Sequence, residues 1–502
     1  MKSDPTFLVV GPAPDAALAA LLMRRLLPGR PLTLLVTPGD ADPIGETTTP
    51  LLWQQLATIG GIGRDDLHKI ANPTWSLGFS LRWGMRGQFH RAFEAPFSSL
   101  PTGLTTPLAR LADAEGLGQS TTGMALLSAG KLFPKDRRNS IRILDGICGL
   151  QLAPAPFSQL LLRACQAAGA KILNDTVVEV QCSGDSLVSL RTQDGTERRA
   201  DWILDLTPRA DGLRSHLPEH HWTGDHAPGH CTRAWTALRR RGSEAIRSGA
   251  TLETHESGWR WRVEHREHIG IGVAFHPDFL SEDAALQLLL AKSGTPSSEA
   301  RLHTWETGHH ARPWVGNLIA MGDAAGWTSP LTGTRLALIV QEAHQIARIL
   351  AENESQVGEA SRRLYQNSCH QTLQEIQDFS ALHHRFHGQQ SSAWWDHAAA
   401  ATSLGAHDEL VALYQQGGAS PVLAHALPRG QSAMGIDTWL AALVGLGVPV
   451  THPKTIPTGE LASWRSHLAA QTQMAASAVQ PKVYLEAVDR DLHRRPQPQK
   501  FY

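Results

Sequence analysis

The sequence of 502 residues predicts an α/β fold in which one sheet is assembled from separated stretches of chain. Three stretches predict it. "TFLVVGP" is a short apolar run stopped by Gly and Pro. "DAALAALLMRRLL" then has helical spacing with Asp15 at its start, and "PLTLLVTPGD" is the next strand, a β-α-β opening. Further on, "APFSQLLLRACQAAGAKIL" is helical as far as Gly169, and "DTVVEVQCSGDSLVSLRTQDGTERRADWILDLTP" alternates like a β-meander, with turns at "SGDS" and "QDGT". The third stretch, "VGNLIAMGDAAGWTSPLTGTRLALIVQEAHQIARILAENE", is a strand, a Gly-rich loop and a long helix.

Strand–turn–helix character in three separated places predicts one discontinuous, Rossmann-like nucleotide domain built from residues 1–50, 150–215 and 315–352. The pieces between, 51–149 and 216–314, predict a mixed β domain facing a substrate, so that 1–395 form one core. From 396 to 502 the chain reads as a helical, polar section ending in a frayed tail, "HRRPQPQKFY".

Composition excludes several classes of function. Hydrophobic residues make up 42% of the chain, enough for a large core, and the formal charge is −1. Neither a nucleic-acid groove nor a polybasic membrane patch is expected from that balance. The five cysteines (Cys148, Cys165, Cys182, Cys231, Cys369) are scattered and never in CxxC, which reads as reduced thiols in a cytoplasmic protein. Of the 25 histidines, the densest clusters are "HHARPW" and "ALHHRFH". Neither has the spacing of HExxH, so packing or surface roles are expected and no metal. No apolar span reaches about 18 residues, and Pro12, Pro14 and Asp15 interrupt the opening run, so neither a membrane helix nor a signal peptide is expected.

A dinucleotide fingerprint, GxGxxG, uses its glycines for a tight turn and for close approach to a pyrophosphate. Here the six positions are Gly11, Pro12, Ala13, Pro14, Asp15 and Ala16, so only the first glycine is present. Asp15 adds a negative charge near the helix N-terminus where a pyrophosphate would sit. The second strand ends at Thr37 rather than at an acid for a ribose, with Asp40 three residues on. Alone, this stretch fits a dinucleotide site and an unrelated βαβ unit equally well.

"GDAAGWTSPLTGT" points more firmly. An acid follows a strand, small residues line the turn, and a helix begins beyond a proline. In that order Asp323, next to Gly322, would hydrogen-bond the ribityl or phosphate region of a flavin. The helix opening at Thr334, Arg335 and Leu336 would aim its positive end at the flavin ring. In "SGWRWRVEHREHIGIGVAF", Trp259 and Trp261 fall on one face of a strand, which suits either an aromatic pocket wall or ordinary packing beneath a sheet. "PIGETTTP", residues 43–50, is too short and polar for a core element, and its three threonines are poor helix formers.

Together these pieces resemble the flavin-dependent tryptophan halogenase family. "GETTTP" is similar to its GEAT-x-x-P strap, with Gly45, Glu46 and Thr47 in register. "GWRWRV" is similar to its W-x-W-x-I-P, with Val263 for Ile and Glu264 for Pro. "WETGHHARPWVGNLIAMGDAAGWTSPL" and "QDFSALHHRFHGQQSSAWW" follow two further family stretches. The resemblance implies FAD, reduced by a separate flavin reductase, held by Gly11, Ala13, Ala16, Gly45, Glu46, Thr47, Gly322, Asp323, Thr334, Arg335 and Leu336, with Trp259 and Trp261 at the substrate pocket. In the family, a flavin hydroperoxide and a halide yield hypohalous acid, which a lysine directs onto the substrate with help from a glutamate.

Those two positions are occupied here by Ser76, in "WSLGFSL", and Thr332, in "PLTGTR", while Arg335 replaces a halide-holding glycine. Serine has no basic nitrogen and threonine no carboxylate. Halide binding is thereby put in question, and the catalytic residues stay unassigned. Monooxygenase-type chemistry on an aromatic or other organic small molecule is the favoured expectation. A halogenase with a non-standard orienting residue and a non-catalytic flavin-fold binding protein are the alternatives. The substrate and the oligomeric state, a homodimer included, are left open.

Overall fold

The structure is a computed structural model that describes residues 5–39, 45–94, 96–208, 212–218, 221–224, 230–327, 329–353, 356–388, 390–401, 403–427 and 433–494. Asp40, Pro43, Ile44 and the tail after Arg494 lie outside the described residues.

Phe7–Gly11 is an inner strand of a six-stranded sheet. The order across it is Trp314–Val315, Leu318–Ala320, Trp202–Asp205, Phe7–Gly11, Leu32–Val36 and Lys171–Asn174. Val9 lies between Leu204 and Leu34, both in parallel register. Only the edge pairing of Trp314–Val315 with Leu318–Ala320 is antiparallel. Parallel strands covered on both faces read as continuous apolar runs, which is why "FLVV" and "LTLLV" do not alternate.

The first helix, Asp15–Leu26, crosses over this sheet and packs against the helices Pro154–Ala167 and Arg335–Glu352. Val9, Leu18, Leu22, Leu34, Ile339 and Ile346 share that core. Leu8, Val10 and Ile203 point to the other face and pack with Leu187 and Leu190 of the three-stranded meander Val177–Ser183, Ser186–Thr192 and Glu197–Arg198.

The second large sheet has seven strands in the order Arg301–Thr304, Arg233–Arg240, His268–Phe275, Gly258–Glu264, Ala250–His255, Gly78–Arg82 and Phe89–Ala92. It is antiparallel except where Ala250–His255 runs parallel to Gly78–Arg82. A small sheet joins the two halves: Glu46–Thr47, Gly149–Leu152 and Thr74–Ser76.

The long helix Glu359–Arg385 leads into the helical section. Phe379, Trp394, Trp395, Trp439 and Leu440 from these helices pack with Phe79, Leu81, Trp83 and Trp259 in one apolar cluster. Among the described residues, no helix is long and apolar enough to cross a membrane. The histidines of "ALHHRFH" pack inside: the ring Nδ1 atoms of His383 and His384 bond the carbonyls of Phe379 and Ser380 on their own helix. Among the described residues no group of three or more His, Cys, Asp or Glu is placed to hold a metal.

Candidate active site

A cavity of about 910 Å³ lies between the two large sheets. It is lined by the turn Pro12, Ala13, Pro14 and Asp15, with Gly39, Pro208 and Ser215, and by the apolar side chains of Phe79, Leu252, Trp261, Trp305 and Trp327. The helices that begin at Asp15 and at Arg335 both open onto it, so two positive helix ends face one chamber.

The "GETTTP" stretch forms part of the wall. Glu46 pairs with Leu152 and Thr47 with Gln151 in a short antiparallel strand. The Thr48 hydroxyl accepts from the Leu150 N–H at 3.0 Å, and Pro50 is the first residue of the helix Pro50–Thr58. The threonines thus serve strand pairing, and the proline starts a helix. This segment touches the Gly322–Thr334 loop directly. At Gly333, φ is +67°, and an added Cβ would meet the Thr47 carbonyl oxygen at 2.7 Å.

Arg335, the first residue of its helix, joins the two segments. Its guanidinium pairs with Asp15, reaches Glu46 at 2.5 Å and stands 3.7 Å from Asp323. Burial by itself would lower the pKa of Arg335, but the three carboxylates outweigh it and hold the cation well above its usual value. Burial raises the pKa of Asp323 to about 6; Arg335 opposes that rise, while Asp15 and Glu46 add to it. Glu46 is raised as well, again by burial more than Arg335 lowers it. Behind the loop, the buried carboxyl of Glu342 accepts the Gly322 N–H at 2.7 Å, and burial pushes its pKa up to about 8.

The residues expected from sequence to hold a cofactor divide into two groups. Ala13, Gly45, Glu46, Thr47, Asp323, Thr334 and Arg335 line the cavity, whereas Gly11, Ala16, Gly322 and Leu336 lie behind its wall. At Gly11 a Cβ would come within 2.7 Å of the Leu206 backbone, so glycine there serves the contact between neighbouring strands.

Thr332 lines the cavity, with its hydroxyl 2.8 Å from that of Thr334. Ser76 does not line it. It is fully buried, and its hydroxyl donates to the Gly78 carbonyl at 3.1 Å. Trp261 lines the cavity and lies over Gly272, its register partner, where a Cβ would sit 2.2 Å from the indole. Trp259, 5.2 Å from Trp261 between ring centroids, is buried against Trp83 instead. Glu264, at the place of the family's proline, is fully buried and meets Arg241 at 2.6 Å and Arg262 at 2.5 Å.

Sequence reasoning missed Trp305 and Trp327, whose rings stand 4.6 Å apart at 30°. It also missed Thr236 and His303, joined at 3.0 Å between Oγ1 and Nε2. Both tryptophans stand within stretches quoted above, "WETGHH" and "GDAAGW". What was not readable was that a bend of the chain brings them face to face.

A flavin dinucleotide can be tested against these residues by their chemistry. Two helix N-termini meet on the cavity wall at the Arg335–Asp15 pair, which suits a ligand with a diphosphate and a ring that gains negative charge. The Asp323 loop, the strap and Arg335 fit the ring side. Asp15 is the exception, because it sets a carboxylate at the first helix N-terminus.

The comparisons agree with this architecture. The family model described as "Tryptophan halogenase" matches residues 6–458. The chain therefore belongs to the tryptophan halogenase family, flavin-dependent enzymes that use FAD reduced by a separate flavin reductase. It is 24% identical over 160 residues to 7-chloro-L-tryptophan 6-halogenase KtzR of Kutzneria sp. (strain 744), a match covering 32% of this chain and only 30% of that protein. To tryptophan 7-halogenase RebH of Lentzea aerocolonigenes it is 21% identical over 415 residues, 77% of each chain. The structure of BrvH, a flavin-dependent halogenase from Brevundimonas sp. BAL3, superposes with a TM-score of 0.85 at 19% identity, covering 96% of this chain and 99% of that one. At that identity the likeness speaks for the fold.

Proposed function

We propose that the protein is an FAD-dependent oxidoreductase that uses reduced FAD and oxygen for monooxygenase-type chemistry on a flat, uncharged aromatic or similar organic molecule. One observation carries the reading. Along the cavity that joins the Arg335 cluster to the tryptophan wall, the two family positions offer no group for halogen transfer, since Ser76 is turned away and Thr332 is paired with Thr334.

Bound FAD, reduced by a separate flavin reductase, supplies electrons to oxygen. The chain's own residues do the rest. Ala13, Gly45, Glu46 and Thr47 would flank the cofactor, and the helix N-terminus at Arg335 would stabilise negative charge on the reduced ring. Trp261, Trp305 and Trp327 would stack the substrate and exclude water. Thr332 and Thr334 can hold a polar atom by neutral hydrogen bonds but cannot take up a proton as a carboxylate does. Arg335 is the only Arg or Lys on the cavity wall among the described residues, and its charge is already engaged by acids. A carboxylate-bearing substrate such as a free amino acid would find no unengaged Arg or Lys there.

The test supplies a reductase, NADH, FAD, oxygen and chloride with a panel of indoles, pyrroles and phenols, and follows products by mass spectrometry. Substrate-dependent formation of an oxygenated product supports the reading. A single chlorinated isomer would assign halogenation with another orienting group. Asp15 favours a second reading, a flavin-fold protein that holds the cofactor too weakly for turnover. Absence of FAD binding in calorimetry would favour that one.

A further inference from the structure

A line of indoles runs from the cavity wall to the helix that carries Trp395. Trp261, on the cavity wall, stands 5.2 Å from Trp259 between ring centroids, Trp259 6.4 Å from Trp83, and Trp83 5.6 Å from Trp395. His387 stacks on Trp395 at 4.8 Å and 24°, and it is partly exposed. Trp259, Trp83 and Trp395 are fully buried. This chain has 15 tryptophans and only four tyrosines, and four of those indoles stand in unbroken succession between cavity and surface.

We propose that Trp261, Trp259, Trp83 and Trp395 form a conduit along which oxidising equivalents pass in either direction between the cavity and the surface at His387. The proposal rests on the flavin reading above for the source of the oxidant. The oxidant is of the oxygen-radical class, formed when reduced flavin and oxygen react with no substrate to receive the oxygen. It gains one electron from Trp261 and a proton from water, leaving an indole radical cation. Trp259 then refills Trp261, Trp83 refills Trp259 and Trp395 refills Trp83, so that electrons move inward and the hole moves outward. A thiol from solution returns the electron at the outer end and releases its proton, which neutralises the hydroxide left by the first step, and the thiyl radicals of two such passages couple to a disulfide.

The hydrogen bonding favours reversible passage over trapping. The N–H groups of Trp83 and Trp395 donate to backbone carbonyls, those of His383 and His255, each at 2.7 Å. The Trp259 N–H has no hydrogen-bond partner. A carbonyl is too weak a base to remove the proton of an oxidised indole, so the cation keeps its proton and can be reduced again.

The experiment needs no flavin, so its outcome is separate from that of the flavin reading. Asp396, exposed and next to Trp395, is changed to Cys in a Cys182→Ser background and labelled with a ruthenium polypyridyl. A flash with hexaammineruthenium(III) as quencher makes a ruthenium(III) oxidant at the outer end, and peptide mass spectrometry locates oxygenated indoles. The expected result is oxygenation at Trp261, lost on adding Trp83→Phe while oxygenation at Trp395 persists. Trp202 and Trp314, a buried pair 5.7 Å apart in the other sheet, are the internal reference and should stay unoxidised. Near-ultraviolet circular dichroism checks that the Phe variant is folded, and Trp259→Phe provides a second break in the same line. Oxygenation of Trp261 that is no greater than that of Trp202, or that is unchanged by both breaks, would overturn the proposal.

Discussion

Arg335 and Asp15, 320 residues apart in sequence, are joined by an ion pair that links the first residues of two helices. A cation at a helix N-terminus is unfavourable by itself, since the helix dipole is positive there. The carboxylates of Asp15, Glu46 and Asp323 compensate, which makes Arg335 the centre of the site and not an isolated replacement of a glycine.

Replacing that cation should therefore destabilise the fold in a pH-dependent way. Arg335→Leu leaves three acids together. Its side chain is 34% exposed, so solvent screening limits the loss to about 1–2 kcal/mol at neutral pH. The carboxylates repel only when ionised, and the pKa of Asp323, about 6 beside Arg335, rises further once that cation is removed. Denaturant unfolding at pH 8 and pH 5 should show the larger deficit at pH 8. Equal deficits at both would remove the electrostatic account.

Asp15 should oppose dinucleotide binding. Asp15→Asn removes a negative charge at a helix N-terminus while keeping the side-chain size, and should tighten FAD binding by about tenfold, or roughly 1.4 kcal/mol. Calorimetry with oxidised FAD reads this directly, and the gain should shrink as salt is raised. A weaker Kd for the variant would mean that the Arg335 pair, and not the bare charge, governs the site.

Restoring the family's lysine should fail for a structural reason. Ser76 is fully buried with its hydroxyl on Gly78, so Ser76→Lys forces an ammonium into a packed strand at a cost of about 3–5 kcal/mol. We expect a lower Tm and no single chlorotryptophan isomer, from this variant or from its combination with Thr332→Glu. One isomer formed by a double variant of unchanged Tm would show that position 76 can reach the cavity.

Glu342 offers a test by pH alone. Its pKa lies at about 8 in the fold, above the ordinary carboxylate range. The folded state therefore holds this proton more tightly than the unfolded chain. The stabilisation it gives is complete below about pH 4.5 and is lost as pH rises through about 8. Glu342→Gln keeps an acceptor for the Gly322 N–H and should flatten that loss, gaining on the order of 1–3 kcal/mol over wild type at pH 9 and little at pH 4. Parallel stability curves for the two proteins would refute it.

Much of the scaffold was legible. The runs Phe7–Gly11 and Leu32–Val36, with the helix between them, announce themselves by period and by punctuation. The strap and the loop before Arg335 could be read as short ordered motifs. The orientation of Ser76 was not legible, because Trp75, Ser76 and Leu77 are all fully buried and strand parity gives no exposed face to count from. Trp259 and Trp261 share a face, as their spacing requires, yet one lies under Trp83 and the other reaches the cavity. That division depends on where the second sheet ends, a long-range property. The Arg335 cluster was hidden for the same reason, since Asp15 and Glu46 come from the start of the chain and Asp323 and Arg335 from some 300 residues later.

That dispersal has a consequence for the birth of the protein. At synthesis rates of about 5–20 residues per second, the 320 residues from Asp15 to Arg335 take roughly 16–64 s to emerge. Throughout that interval Asp15 is on the ribosome without its cation, and the first helix without the helix it packs against. The cofactor chamber cannot close until Arg335 and its helix have followed, so a chain cut short before that point carries the opening fold and an unanswered acidic face.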